Sequence, residues 1–280
     1  MEGHEIMIQD AGPLERVVEN YCNAVSEEVR NLHDLLKYRR ATRAHPKDVA
    51  RRLHADTHRM SGAAHCMGFR DFGNRLSRME KKLEKALHKN PAEIEIILES
   101  LEERVAVLFS LLPHIHAGNS RVLQILEENR SESESDTNKA TPDATKALSG
   151  LRILLADDDP HICALMASTL ESMGVGETHS VKSGLEVLRA IDEFRPDMIV
   201  TDWQMEPISG FELLQCIRSG ETPIRKDTPI IFFTGEEDRS FMQMALSNGA
   251  DRFLRKPVSP EILEASILHI LERRPETQVF

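Results

Sequence analysis

The stretch Asp197-Met-Ile-Val-Thr-Asp202 constrains this chain more than any other. A short apolar run leads straight into a carboxylate, with Pro196 before it and Pro207 and Gly210 behind it. Such a run, bounded by residues that interrupt regular structure, reads as a strand buried in a parallel sheet. Asp202 then stands at the strand's carboxyl end, the edge of an open α/β sheet where loops open into a crevice. Three more runs end in residues that carry chemistry. Leu151 to Ala156 leads into Asp157-Asp158-Asp159, Thr228 to Thr234 ends in a hydroxyl, and Asp251 to Arg255 leads into Lys256-Pro257. Helical patterns lie between them. Asp159-Pro160 opens one that Gly174 ends, and Ser183 caps another after a short strand near Thr178 to Val181. A third follows Gly210, a fourth stops at Asn248-Gly249, and Ser259-Pro260 opens a fifth, with Ile262, Leu263, Ile267, Ile270 and Leu271 expected to face inward. This alternation predicts an α/β doubly wound, five-stranded parallel sheet with helices on both faces.

Several carboxylates at one sheet edge repel one another unless a cation joins them. Mg²⁺ favours one or two carboxylates with phosphate oxygens and water. Asp157, Asp158 and Asp202 are therefore expected to form a Mg²⁺ site. In it Asp202 would be the nucleophile toward a phosphoryl group, Lys256 would pair with the incoming phosphoryl oxygens, and the Thr234 hydroxyl would bond to one of them. The competing description, unrelated capping and turn residues, suits Asp159.

With these residues in place, the stretch 151–272 resembles the receiver domain of response regulators, a flavodoxin-like, chemotaxis-regulator-like fold. That family has an acidic pair after strand 1, a phosphoacceptor Asp after strand 3, Thr or Ser after strand 4 and Lys-Pro after strand 5, and all four occur here in order. The resemblance implies that the main-chain carbonyl of Gln204 joins the metal ligands. It also implies that Thr234 and Phe253 are switch residues which remodel the face around this half's fourth and fifth helices. The loop Met205-Glu206-Pro207 departs from the family's commoner pattern, in which Pro follows Met directly.

The N-terminal half reads differently. Residues 1–12 show no sustained period and are expected to be a flexible arm. From Pro13, Leu14, Val17, Val18, Tyr21, Val25, Val29, Leu32 and Leu36 recur at helical steps; Pro46 opens a second helix to about Gly68, Phe69 to Lys89 forms a third, and Asn90-Pro91 starts a fourth. Asn119 or Ser120 caps a short last helix. Four amphipathic helices with short joints predict an all-α antiparallel four-helix bundle over 13–129. In the second helix Leu53, Met60, Ala64 and Met67 share one side, so His58 and Gly62 fall on the other and His58 is expected to be exposed. A glycine there costs about 1 kcal/mol of helix stability relative to alanine, and its missing side chain would let a partner's backbone approach the imidazole.

These residues resemble the motif of a histidine phosphotransfer domain: His, two residues, usually Lys, then Gly and a later Gly. His58, Gly62 and Gly68 match, while Ser61 stands where the usual Lys would offset phosphate charge; Arg59 or Arg51 is the candidate substitute. The resemblance implies that His58 is a phosphohistidine candidate and Gly62 a docking position. The plainer reading of His58 is a solvated surface histidine. A zinc site from His54 and His58 lacks Cys at ligand spacing, and Gly174-Val-Gly176 follows a helix where a dinucleotide loop needs a strand.

Residues 130–149 are polar and are expected to be a flexible linker between the bundle and a receiver domain over 150–273, with 274–280 a loose tail. Residues 150–280 carry 13 Lys and Arg against 22 Asp and Glu, most of the net charge of −11, which argues against non-specific nucleic-acid binding. No apolar run approaches the roughly 20 residues of a membrane span, and Met1-Glu-Gly-His-Glu does not look like a signal peptide. A cytoplasmic protein with no membrane insertion and no nucleic-acid partner is expected. Cys22, Cys66, Cys163 and Cys216 make no CxxC pair and read as reduced thiols.

The expected function is two-component signal transduction: Mg²⁺-dependent phosphoryl acceptance on Asp202 with phosphotransfer through His58, in a relay intermediate rather than an enzyme with an ATP site. Its partners would be a cognate histidine kinase or phosphotransfer protein and a downstream protein target. The alternative is a receiver-switched interaction module whose helical half is a non-phosphorylated binding or dimerisation scaffold. A dehalogenase-like phosphatase would need a second Asp where Gln204 stands.

Overall fold

The computed structural model describes residues 12–133, 142–235 and 239–273. Residues 1–11 of the expected arm (residues 1–12), the expected tail, and the acidic run Glu236-Glu237-Asp238 lie outside them. The chain forms two compact units, Met1–Ser135 and Asp136–Phe280.

The first unit is helical: α1 Pro13–Thr42, α2 Pro46–Cys66, α3 Arg70–Ala86, α4 Pro91–Leu111 and α5 Arg121–Ser133. Proline opens α1, α2 and α4, where its missing N–H costs nothing. At α4 the Asn90 side chain accepts from the Glu93 N–H while Glu93 reaches back to the Asn90 N–H. The α2 helix packs against α1, α3 and α4. Its stripe Leu53, Met60, Ala64 and Met67 is buried as expected, but so is the flank carrying Thr57 and Ser61. His58 is therefore half-buried rather than exposed, its side chain retaining 22% of its accessible surface, because α3 lies along that flank. Gly68 ends the turn after α2 at φ +86°, and a Cβ there would come 2.6 Å from the Arg121 backbone nitrogen, so this glycine seats α5.

The second unit opens with α6 Pro142–Ser149, within the stretch expected as linker. Leu148, the large apolar side chain of that polar run, is buried, and its carbonyl accepts from the Gly176 N–H at 3.1 Å. Beyond it come β1 Arg152–Ala156, α7 Pro160–Ser172, β2 Glu177–Val181, α8 Gly184–Phe194, β3 Met198–Thr201, α9 Gly210–Ser219, β4 Ile230–Thr234, α10 Arg239–Ser247, β5 Arg252–Arg255 and α11 Pro260–Arg273. The five strands are parallel in the order β2-β1-β3-β4-β5, with α helices flanking the sheet. The central strands β3 and β4 are buried along their whole length, as two covered faces require, whereas the edge strand β2 is largely exposed. Ile262, expected to face inward, is 55% exposed; Leu263, Ile267, Ile270 and Leu271 carry the buried face of α11. Among the described residues no helix is long and apolar enough to cross a membrane.

Candidate functional site

Parallel register brings the strand ends to one rim. Ala156 pairs with Thr201, Thr201 with Phe232, and Thr234 with Arg255, so the residues that follow sit side by side. The backbone extends this beyond the strands: Asp202 N–H donates to Ala156 O at 2.8 Å, and Lys256 N–H donates to Thr234 O at 2.8 Å. The N-terminus of α9 packs against the backbone at Asp202 and Trp203. A Cβ on Gly210 would overlap the carbonyl oxygen of Asp202, and the Gly210 N–H donates to Trp203 O at 3.0 Å.

Asp157 and Asp202 are 5% and 3% exposed, Thr234 is fully buried, and Asp158 and Gln204 face solvent. The Lys256 ammonium lies 2.5 Å from Asp157 Oδ2 and 3.5 Å from Asp202 Oδ1. Asp157 Oδ1 accepts from the Asp159 N–H at 3.0 Å, and Asp159 in turn caps α7 through the His161 N–H. Burial pushes the Asp157 carboxyl above the usual carboxylate range; Lys256 opposes that and the Asp202 charge adds to it. Next to it the Cys163 thiol, donating to the Asp157 carbonyl, is pushed up to about 12, chiefly by burial.

One carboxylate oxygen from each of Asp157, Asp158 and Asp202 lies within 4.8 Å of the others. The Lys256 ammonium reaches two of these carboxylates, Asp157 and Asp202, and the buried Asp202 Oδ1 accepts no hydrogen bond. A hard divalent cation fits this all-oxygen set, and Mg²⁺ suits it.

Beside Asp202 an aromatic group was not anticipated beyond Phe253. Trp203 is 7% exposed and its ring lies 5.2 Å from Phe211, 5.2 Å from Phe232, 5.0 Å from Phe241 and 6.4 Å from Phe253. Phe253 stacks on Phe232 at 6.0 Å. The Glu206–Pro207 peptide is cis, as is Lys256–Pro257.

In the helical unit His58 Nδ1 lies 2.7 Å from Glu80 Oε1 on α3, a neighbour the sequence reading missed. A Cβ on Gly62 would meet nothing within 4 Å, so that position opens outward. Ser61 is 4% exposed and bonds to Ser77 Oγ at 2.6 Å and to Gly73 O at 3.3 Å. The position of the usual Lys thus faces α3. Of the proposed substitutes, Arg59 pairs with Glu28 on α1 at 2.6 Å and Arg51 with Asp48 at 3.5 Å. His65 leans on Gly73 and bonds to Asn74.

Residues 153–268 match the profile of the response regulator receiver domain. Among curated proteins, the DNA-binding response regulator MtrA of Mycolicibacterium smegmatis is 28% identical over 125 residues, 45% of this chain and 52% of that protein. The phosphate regulon transcriptional regulatory protein PhoB of Pseudomonas aeruginosa is 34% identical over 126 residues, 44% of this chain and 53% of that one. Among solved structures, the chemotaxis response regulator CheY4 of Vibrio cholerae is 30% identical, covering 44% of this chain and 97% of that one, with a TM-score of 0.37. The chain spans about half the length of the curated relatives it matches. These relatives overturn the expectation of no nucleic-acid partner, since MtrA is named DNA-binding and PhoB and AfsQ1 of Streptomyces coelicolor are named transcriptional regulatory proteins. That expectation rested on net charge, which bears on non-specific attraction to phosphate and not on an output reached through specific contacts or a partner.

Proposed function

We propose, from the premise that residues 153–268 form a response regulator receiver domain, that this chain is a phosphorelay intermediate in which Asp202 and His58 each carry a phosphoryl group. One observation carries the receiver half of the reading: a single lysine ammonium held between Asp157 and Asp202 at the rim where Thr234 also ends its strand. An Asp202 carboxylate oxygen attacks phosphorus in line; the P–N bond of a phosphohistidine donor breaks and its electron pair returns to the donor nitrogen. Lys256 turns from the carboxylates to a phosphoryl oxygen, and the Thr234 hydroxyl donates to another. Mg²⁺, when held by Asp157, Asp158, Asp202 and the Gln204 carbonyl, supplies positive charge against the phosphoryl oxygens. The acyl phosphate so formed draws Thr234 inward and shifts Phe253 within the aromatic group that reaches Phe241 on α10.

The helical half, taken as an antiparallel four-helix bundle, presents His58 beside the open position at Gly62. Phosphate comes from a separate histidine kinase or phosphotransfer protein, and the chain works as a carrier rather than a turnover enzyme. The relatives' names support an output at nucleic acid, direct or through a protein target. A second reading, in which the helical half is a non-phosphorylated scaffold, draws on the buried Ser61 in place of a lysine. Incubating wild type, His58→Ala and Asp202→Asn with a phosphorylated histidine kinase and separating acid-labile phosphohistidine from alkali-labile acyl phosphate decides between the two. Relay predicts both species in wild type and loss of one in each variant; acyl phosphate alone in wild type, unaltered by His58→Ala, would leave only the scaffold.

A further inference from the structure

The α2 and α3 helices pair about the turn at Phe69 in one register. His65 leans on Gly73, Ser61 bonds to Ser77, and His58 Nδ1 meets Glu80 Oε1 at 2.7 Å, each pair equidistant from Phe69. One turn farther out the same register sets His54 opposite Glu84. Two histidines at i and i+4 on one helix therefore confront two glutamates at i and i+4 on the next, and residues so spaced share a helix face. Glu80 stands near both imidazoles, since its charge also acts on His54, with that of Glu84 behind it. His54, His58 and Glu80 are half-buried and Glu84 is exposed, so the group is sheltered yet reachable from solvent. Burial holds the His54 ring below the ordinary histidine range against the pull of those acids, and a neutral imidazole has a lone pair to give.

From this geometry we propose that His54, His58 and Glu80 form a site for a transition metal ion of the zinc type, with Glu84 closing the fourth position. The sequence offers the two imidazoles, and the fold adds the carboxylates from α3. Nitrogen and oxygen together suit Zn²⁺, which takes such ligands in a tetrahedron, and not Mg²⁺, which favours oxygen alone. Metal–ligand bonds of about 2.0–2.2 Å put two corners of that tetrahedron roughly 3.3 Å apart. A metal between His58 Nδ1 and Glu80 Oε1 thus opens their 2.7 Å contact only slightly. It takes the place of the proton in that contact, and the proton passes to solvent. Among the described residues the rim carboxylates are the group already drawn within 4.8 Å, so His54 and Glu84 close on the metal by rotation about their side-chain bonds. The site stands whether or not His58 carries phosphate: a metal-clamped seam suits the scaffold reading, and in the relay reading metal and phosphoryl group compete for one imidazole.

Co²⁺ serves as the probe on the full chain, with Mg²⁺ in excess to hold the carboxylate rim. Four-coordinate Co²⁺ absorbs visible light far more strongly than the six-coordinate ion that oxygen ligands and water give. The wild type should develop that band with one equivalent of Co²⁺ and lose it when Zn²⁺ displaces the probe. A lost ligand costs at least as much as a lost outer-shell partner, so His54→Ala and Glu80→Ala should each weaken the apparent affinity by roughly tenfold or more. His33→Ala, on α1, should leave it unchanged. Zn²⁺ should also raise the melting temperature of the wild type and shift the ring nitrogens of His54 and His58 in its NMR spectrum, readouts that need no variant to fold. A band absent from the wild type, ring signals indifferent to Zn²⁺, or a band that His54→Ala and Glu80→Ala both keep at full affinity would overturn the proposal.

Discussion

Trp203 is the chain's single tryptophan and follows Asp202 directly, packed among Phe211, Phe232, Phe241 and Phe253. Its emission should therefore respond to charge at the rim: titrating Mg²⁺ should change it saturably, and Asp157→Asn should weaken the apparent affinity by about tenfold or more through the lost ligand charge. A flat titration in wild type would contradict the metal assignment. Gly62 tests the other site. With open space around its Cβ, Gly62→Ala should raise stability by about 1 kcal/mol in urea melts while slowing transfer to His58 from a protein donor. Stabilisation without any loss of transfer would remove Gly62 from the docking surface. At this scale the rim was largely legible in the sequence, because each residue there ends a short apolar run and strand ends of a parallel sheet share an edge. Glu80 was not, since a glutamate on an amphipathic helix looks like any solvated residue until the partner helix is known.

The elements were legible where one face is apolar and the other polar, and less so where both are covered. The α2 helix shows the difference: its apolar stripe was evident, but Thr57, Ser61 and His58 lie under α3 and look in one sequence like solvent positions. The pairing of α2 with α3 follows once the turn at Gly68-Phe69 is placed, because positions equidistant from it must face each other. The α6 helix was overlooked because Leu148 is a lone large apolar residue with no period to betray it. Between α1 and α4 the Arg39 guanidinium, 3% exposed, spans Glu95 at 3.0 Å and Glu102 at 2.7 Å, and donates to the Leu36 carbonyl. Removing it loses both packing and ion pairs whose acids remain partly wet, so Arg39→Ala should lower the stability of the helical unit by about 2 kcal/mol. A melt indistinguishable from wild type would show that the clamp holds nothing.

At the scale of the molecule, two compact units hold two different arrangements: a carboxylate rim built by parallel strands, and an imidazole set in a helix seam. The order of units followed from the change of hydrophobic period between them, three to four residues before the polar stretch and strand–helix alternation after it. The nature of the output did not, because charge composition reports on attraction at a surface and not on which partner a switched face meets. The proposed function turns on reversible phosphorylation of one aspartate among three, as an acyl phosphate. The most direct measurement is the mass of the intact chain after incubation with acetyl phosphate. The account predicts a single added phosphoryl group that requires Mg²⁺, disappears with EDTA and is absent from Asp202→Asn. Labelling that persists in Asp202→Asn, or that is indifferent to the metal, would contradict it.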